Sequence, residues 1–260
     1  MIKKTPHFAL EADLCHHYIE WLKKTAPDWV AYPETGGFDI VLAHQSGAQI
    51  GIEAKLKLNT KVIVQATSNG HMHGGYGPNF RAVLVPSETN TELEPLCKML
   101  GITIIKGWKN YPGQTHERVD FSPRPPKYFD AAVWSPEWFD LCPDRLLKLP
   151  DYIPDVCAGV ASPTALTDWK IRAIKVAIIL ERENFIRRKD FKLLGISHSR
   201  WVSMRWVEPV KGGYTKGNVP DFRMQHPVNF EQIEADFDTW RQALKDKEAA
   251  EETKKKTPTA

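Results

Sequence analysis

The chain has 260 residues, of which 42% are apolar and 26% charged, with a formal net charge of +3. That length can bury one large or two small cores, and the composition is that of an ordinary globular protein. No apolar run reaches the eighteen or so residues of a membrane span, and Met1-Ile2-Lys3-Lys4-Thr5-Pro6 leads into no apolar signal core. Cys15, Cys97, Cys142 and Cys157 lack C-x-x-C spacing, which argues against a zinc knuckle and a disulfide framework. The expectation is a reduced, cytoplasmic protein with no membrane association.

In chain order, a first helix is expected from Phe8 to Lys24, carrying Glu11 and Glu20. Two apolar runs follow, Phe38–Leu42 and Ile50–Lys55, separated by a Ser-Gly turn and readable as a hairpin. Glu53 and Lys55 are two residues apart, so on a strand both leave one face while Ala54 points into the core. Asp39, in the preceding strand, lies within reach across the hairpin. Carboxylates embedded in such apolar runs are costly to bury without a cation or a partner. Two carboxylates and an ammonium on a sheet rim are suited to holding a divalent cation beside a reactive water, the chemistry of phosphodiester cleavage.

Beyond the hairpin, the loop from Asn69 to Pro78 sets His71 and His73 among glycines. An H-x-H pair can bind a transition metal, contact a phosphate or act as a general acid, and it can equally be incidental to a mobile loop. A strand is expected at Arg81–Val85, a helix at Glu92–Leu100 and a strand at Ile102–Ile105.

Residues 112–163 are rich in proline, which interrupts any long helix. They also hold Tyr128, Phe129, Trp134, Trp138 and Phe139, so an ordered connector is expected, with a short helix at Pro136–Leu141.

Residues 164–226 change character. From Ser162 to Met224 there are roughly thirteen Lys/Arg against about six Asp/Glu, a local basic excess suited to nucleic acid. Thr167 is placed to cap a helix that ends near Asn184. A short helix at Lys189–Leu194 stops at Gly195, and a third runs from His198 to Val207. Pro209–Asn218 is readable as a hairpin wing. In residues 227–260, Phe230, Ile233, Phe237, Trp240 and Leu244 mark one amphipathic helix, which can cover the core or form a dimer contact, and a frayed acidic and basic tail follows.

The pattern D-x13-E-x-K formed by Asp39, Glu53 and Lys55, within the order α-β-β-α-β-α-β, resembles the PD-(D/E)xK nuclease superfamily over roughly residues 1–111. Phe38 stands where the motif's name has proline, a residue that shapes a turn and does no chemistry. The resemblance implies an α/β restriction-endonuclease-like core, a mixed central sheet flanked by helices. It implies Asp39 and Glu53 as ligands of Mg²⁺, for which Mn²⁺ would substitute, with the main-chain carbonyl of Ala54 beside them. Lys55 would polarise the attacking water or stabilise developing charge. Glu11, preferred to Glu20, would be a further catalytic acid and metal ligand, and Gln65, expected at the start of the next helix, would touch the substrate backbone or orient the lysine.

Residues 164–226 resemble a winged helix-turn-helix. This implies that His198, Ser199, Arg200 and Ser203 face a major groove, and that Lys211, Lys216, Arg187, Arg188 and Lys189 reach phosphates. The expected activity is that of a metal-dependent DNA endonuclease, as a possible homodimer and nucleoid-associated through its DNA. A DNA-binding regulator or assembly factor using a nuclease-like scaffold is the alternative.

Overall fold

A computed structural model describes residues 8–68, 75–109, 118–127, 137–159 and 166–256. The chain divides into two compact units, Met1–Ala165 and Leu166–Ala260. The first is a mixed α/β unit, and no helix among the described residues is long and apolar enough to cross a membrane.

Helix α1 (Glu11–Thr25) precedes an antiparallel run of strands β1 (Trp29–Thr35), β2 (Phe38–His44) and β3 (Gln49–Ala54). Helix α2 (Thr60–Ser68) crosses to β4 (Phe80–Pro86), and α3 (Glu94–Met99) crosses to β5 (Ile102–Lys109); β3, β4 and β5 are parallel. Strand β6 (Val119–Ser122) returns antiparallel to β5, completing a six-stranded sheet in the order β1-β2-β3-β4-β5-β6.

The sheet is buried on both faces. Ile40, Leu42, Ile50, Ile52, Ala82 and Leu84 pack with Leu14, Tyr18 and Leu22 of α1. The alternate residues Val83 and Val85 pack with Val62, Ile63 and Ala66 of α2 and with Cys97 of α3. Central strands covered twice therefore read as nearly continuous apolar runs, which is why Asp39 and Glu53 stand out in them.

Strands β1 and β6 are additions to the expected order. β1 carries Pro33, which lacks a ladder donor and fits only at an edge; β1 is the edge strand. β6 and the remaining described part of residues 112–163 belong to the first unit. The short helix expected at Pro136–Leu141 is not formed over its described residues, 137–141. The Glu137 carbonyl instead accepts from the Thr103 hydroxyl at 2.5 Å, and the Leu141 N–H donates to the Asn79 carbonyl at 2.8 Å.

The second unit is α-rich. Helix α4 (Asp168–Glu183) is capped by Thr167, whose hydroxyl accepts from Lys170 N, and it ends at Asn184 in the left-handed region. Helices α5 (Arg188–Leu193) and α6 (His198–Ser203) flank Gly195, which has φ +66°. Helix α6 is shorter than expected because the chain turns at Met204–Arg205 and enters the hairpin of β7 (Val207–Val210) and β8 (Gly213–Lys216).

After a short helix α7 (Phe222–Gln225), the single C-terminal helix expected from Asn229 is instead two pieces, α8 (Pro227–Ala235) and α9 (Phe237–Lys256). The Trp240 indole donates to the Ile233 carbonyl at 2.8 Å, taking an acceptor that an unbroken helix would use. The expected frayed tail is helical to Lys256 because its acids meet basic partners on α5, as described below.

Candidate functional site

The register of β2 on β3 pairs Ile40 with Ile52. Continued by one residue, it sets Asp39 opposite Glu53, and directly opposed residues of antiparallel strands share a face. Glu53 is only 3% exposed. The Ala54 N–H donates to Asp39 Oδ2 at 2.7 Å, tying the Asp39 carboxylate to the end of β3. Burial pushes the Asp39 carboxyl above its usual range; that hydrogen bond and the Lys55 charge pull down by less, and Glu11 adds repulsion.

Lys55 follows β3 directly and is held there by its own N–H, which donates to the Leu84 carbonyl of β4 at 3.0 Å. Its Nζ lies 2.6 Å from Glu11 Oε2. Burial works against the ammonium, but the Glu11 carboxylate, with Asp39 and Glu53 nearby, outweighs it and raises the Lys55 pKa. Lys55 is therefore a cation at neutral pH, a donor of hydrogen bonds rather than a proton acceptor.

Glu11 is the first residue of α1, whose first helical hydrogen bond runs from Leu14 N to the Leu10 carbonyl at 3.1 Å, with no side-chain cap at Leu10. Glu20, its competitor, pairs with Lys23 at 2.7 Å on the exposed flank of the same helix. Thus Asp39, Glu53, Ala54, Lys55 and Glu11 come together from β2, β3 and α1.

Gln65 stands apart from its expected place. Helix α2 begins at Thr60, where the Asn59 side chain accepts from Val62 N at 3.0 Å, so Gln65 lies in its second turn rather than at its start. Its Oε1 is buried without a hydrogen-bond partner. His71 and His73 lie outside the described residues.

Glu34 is a member of this neighbourhood that the sequence reading missed. The pairs Pro33–Ile40 and Thr35–Phe38 bracket Glu34 and Asp39, so Glu34, Asp39 and Glu53 occupy one rung across β1, β2 and β3. The signal was hidden because β1 itself went unread. Among the described residues, no group of three or more His, Cys, Asp or Glu is disposed to hold a metal ion.

In the second unit, the basic residues fall into two sets. Arg187 meets Glu248 of α9 through two contacts, at 2.8 and 3.1 Å, and also binds Asp190. Lys189 lies 2.9 Å from Glu248 and 2.7 Å from Glu252. Lys216 pairs with Glu181 at 3.2 Å. These three expected phosphate contacts are thus turned toward carboxylates of their own unit. Arg188, Arg200 and Lys211 are exposed and make no ion pair among the described residues.

Ser199 and Ser203 are exposed on α6, Ser199 sharing a hydrogen bond with Ser197 and Ser203 donating to the Arg200 carbonyl. His198 is half-buried, with its ring 5.9 Å from that of Tyr214.

Sequence reasoning also missed Asp190. It is 1% exposed and accepts from Arg187, through the backbone and the guanidinium, and from Arg241 Nη1 at 2.9 Å. Burial alone would raise its pKa, yet the hydrogen bonds from Arg187 and Arg241 hold it below the usual range.

In comparisons with protein-family models, with curated proteins and with solved structures, nothing matches this chain.

Proposed function

We propose that the first unit is a metal-dependent DNA nuclease of the PD-(D/E)xK type, acting as an endonuclease, and that the second unit contributes DNA binding as a winged helix-turn-helix-like module. The observation that carries this reading is the meeting of Asp39, Glu53, Lys55 and Glu11 at the end of β3, although they lie up to 44 residues apart in sequence. Two carboxylates withdrawn from water on one rung, one of them destabilised in its ionised form, suit a hard cation such as Mg²⁺. Such a cation needs only one or two protein carboxylates and keeps several waters.

On this reading Asp39 and Glu53 hold the cation, with the Ala54 carbonyl beside them. The bound cation would supply charge neutralisation and an acidified water. Lys55, a fixed cation, stabilises charge developing on the phosphate or on the attacking oxygen rather than removing a proton. Glu11 keeps Lys55 in place. In the second unit, Arg188, Arg200 and Lys211 are the cations best placed for phosphates, and Ser199 and Ser203 are exposed beside them.

A second reading, a DNA-binding regulator or assembly factor with a nuclease-like scaffold, is favoured by one observation: the Lys55 ammonium is already occupied by Glu11 at 2.6 Å. The deciding test is cleavage of supercoiled, linear, single-stranded and branched DNA in Mg²⁺ or Mn²⁺ against EDTA, with Lys55→Ala alongside. The nuclease reading expects metal-dependent cleavage that falls by about 10²-fold or more in the variant. DNA that binds but remains intact on every substrate would favour the regulator.

A further inference from the structure

The end of the first unit returns to the neighbourhood of the proposed site. Gly159 has φ +75°, and a Cβ built there would lie 3.1 Å from the Glu11 carbonyl carbon and 3.0 Å from Cys15 Sγ. The backbone at Gly159 therefore rests directly on the first turn of α1, at a position that only glycine fills without displacing its neighbours. The preceding residue, Ala158, is 4% exposed and belongs to the core between α1 and the sheet.

What fastens this segment is Glu34. Its Oε1 accepts from Gly159 N at 2.9 Å, across 125 residues of sequence. Glu34 itself has φ +47°, a left-handed conformation that a residue with a Cβ adopts only when its surroundings hold it there. The Glu34 hydrogen bond joins the edge strand β1 to the returning segment, and Gly159 in turn rests on the helix turn that carries Glu11.

We infer that Glu34 and Gly159 form a latch that seats the first turn of α1, making Glu34 a positioning residue that sets Glu11 against Lys55. The catalytic half of this inference rests on the proposed nuclease reading; the latch itself does not. Cys15, one turn after Glu11, is buried beneath Gly159 and reports on the latch independently of any reaction. Burial, together with the charges of Asp39, Glu34 and Glu11, strongly disfavours its thiolate while the latch is closed.

The experiment compares the wild-type chain with Glu34→Ala, with Glu34→Gln, which keeps an oxygen acceptor for Gly159 N–H, and with Gly159→Ala. Thiol labelling by a maleimide, resolved by peptide, follows Cys15. Exposed Cys142 serves as the reagent control, and Cys97, buried among α2, α3 and the sheet, reports loss of the whole fold. Metal-dependent DNA cleavage is measured on the same samples.

The latch predicts that Glu34→Ala and Gly159→Ala label Cys15 about tenfold faster or more, with Cys97 unchanged, and lose cleavage by a comparable factor. Glu34→Gln should be close to wild type in both. Unchanged Cys15 labelling in Glu34→Ala and Gly159→Ala would overturn the latch. Glu34→Gln that labels normally yet cleaves as poorly as Glu34→Ala would overturn the positioning role, because the charge itself would then be required. A wild-type chain that cleaves no DNA would remove the catalytic half together with the nuclease reading, while Cys15 labelling still decides whether the latch exists.

Discussion

Asp39 in the first unit and Asp190 in the second are both aspartates taken largely out of water, and their surroundings move them in opposite directions. Asp190 is enclosed by Arg187 and Arg241, which supply the hydrogen bonds and the positive charge that burial removes. Asp39 has one backbone N–H and a lysine whose nearest carboxylate is Glu11, so its ionised form stays under-compensated. A buried carboxylate completed from within its own unit has its charge compensated there, and removing one partner strands the others. One left short of positive charge is disfavoured at rest and gains most from something that arrives from outside. The difference separates a structural acid from a candidate functional one without reference to sequence position.

The largest effect that would sharpen this contrast is at Asp190. Asp190→Ala leaves Arg241, itself mostly buried, without its inner carboxylate. Arg241 keeps Glu183 at 2.7 Å and Arg187 keeps Glu248 at 2.8 Å, so the cost is that of the lost charged hydrogen bonds, about 1.5–3 kcal/mol. The second unit should therefore unfold at lower denaturant while the first is unchanged; urea unfolding followed by hydrogen exchange in each unit measures it. An equal loss in both units would break the comparison.

At Asp39 the opposite sign is expected. Asp39→Asn removes a disfavoured charge, so without added metal the first unit should be as stable as wild type or more so, by about 1 kcal/mol. Mg²⁺ at about tenfold over its dissociation constant should stabilise the wild-type first unit by about 1.4 kcal/mol and the variant by much less. Thermal melts with and without Mg²⁺ read both quantities, and equal stabilisation of the two proteins would remove Asp39 from the cation site.

Acid titration gives a smaller signal with a definite sign. The depressed Asp190 contributes stability that is present above its unfolded pKa of about 3.9 and is lost as pH falls through its lower folded value. The raised Asp39 does the reverse, its penalty being relieved as pH falls through its folded value, above about 3.9. Mild acidification should therefore relieve the Asp39 penalty and stabilise the first unit before stronger acid weakens the second unit, which unit-resolved exchange between pH 6 and 3 would follow.

The smallest expected effect concerns α9. Exposed ion pairs contribute little individually, yet those of Glu248 and Glu252 neutralise Arg187 and Lys189. Glu248→Gln with Glu252→Gln should raise affinity for duplex DNA a few-fold and steepen its salt dependence by about one to two ions. Fluorescence anisotropy across a salt series tests this; unchanged affinity and slope would leave Arg187 and Lys189 outside the DNA surface.

Much of the first unit was legible in the chain. Apolar runs of strand length located β2, β3, β4 and β5, and alternation alone put Glu53 and Lys55 on one side with Ala54 in the core. Thr167 and Gly195 punctuated the second unit because capping and positive φ are local demands of the backbone.

What the sequence could not supply were relations between distant segments. β1 and β6 complete the sheet through partners rather than through strong patterns of their own, and the preference for Glu11 over Glu20 became a contact only once α1 was laid across β3. The acidic tail reads as solvated until α9 is docked on α5, where Glu248 and Glu252 meet their bases. Asp190 looks like one charge among many until two arginines enclose it. Glu34 reached Gly159 across 125 residues only through the folded sheet. Local backbone and patterning rules act over a few residues, so they fix elements and faces; which charge meets which is decided by packing, where burial makes each missing partner costly.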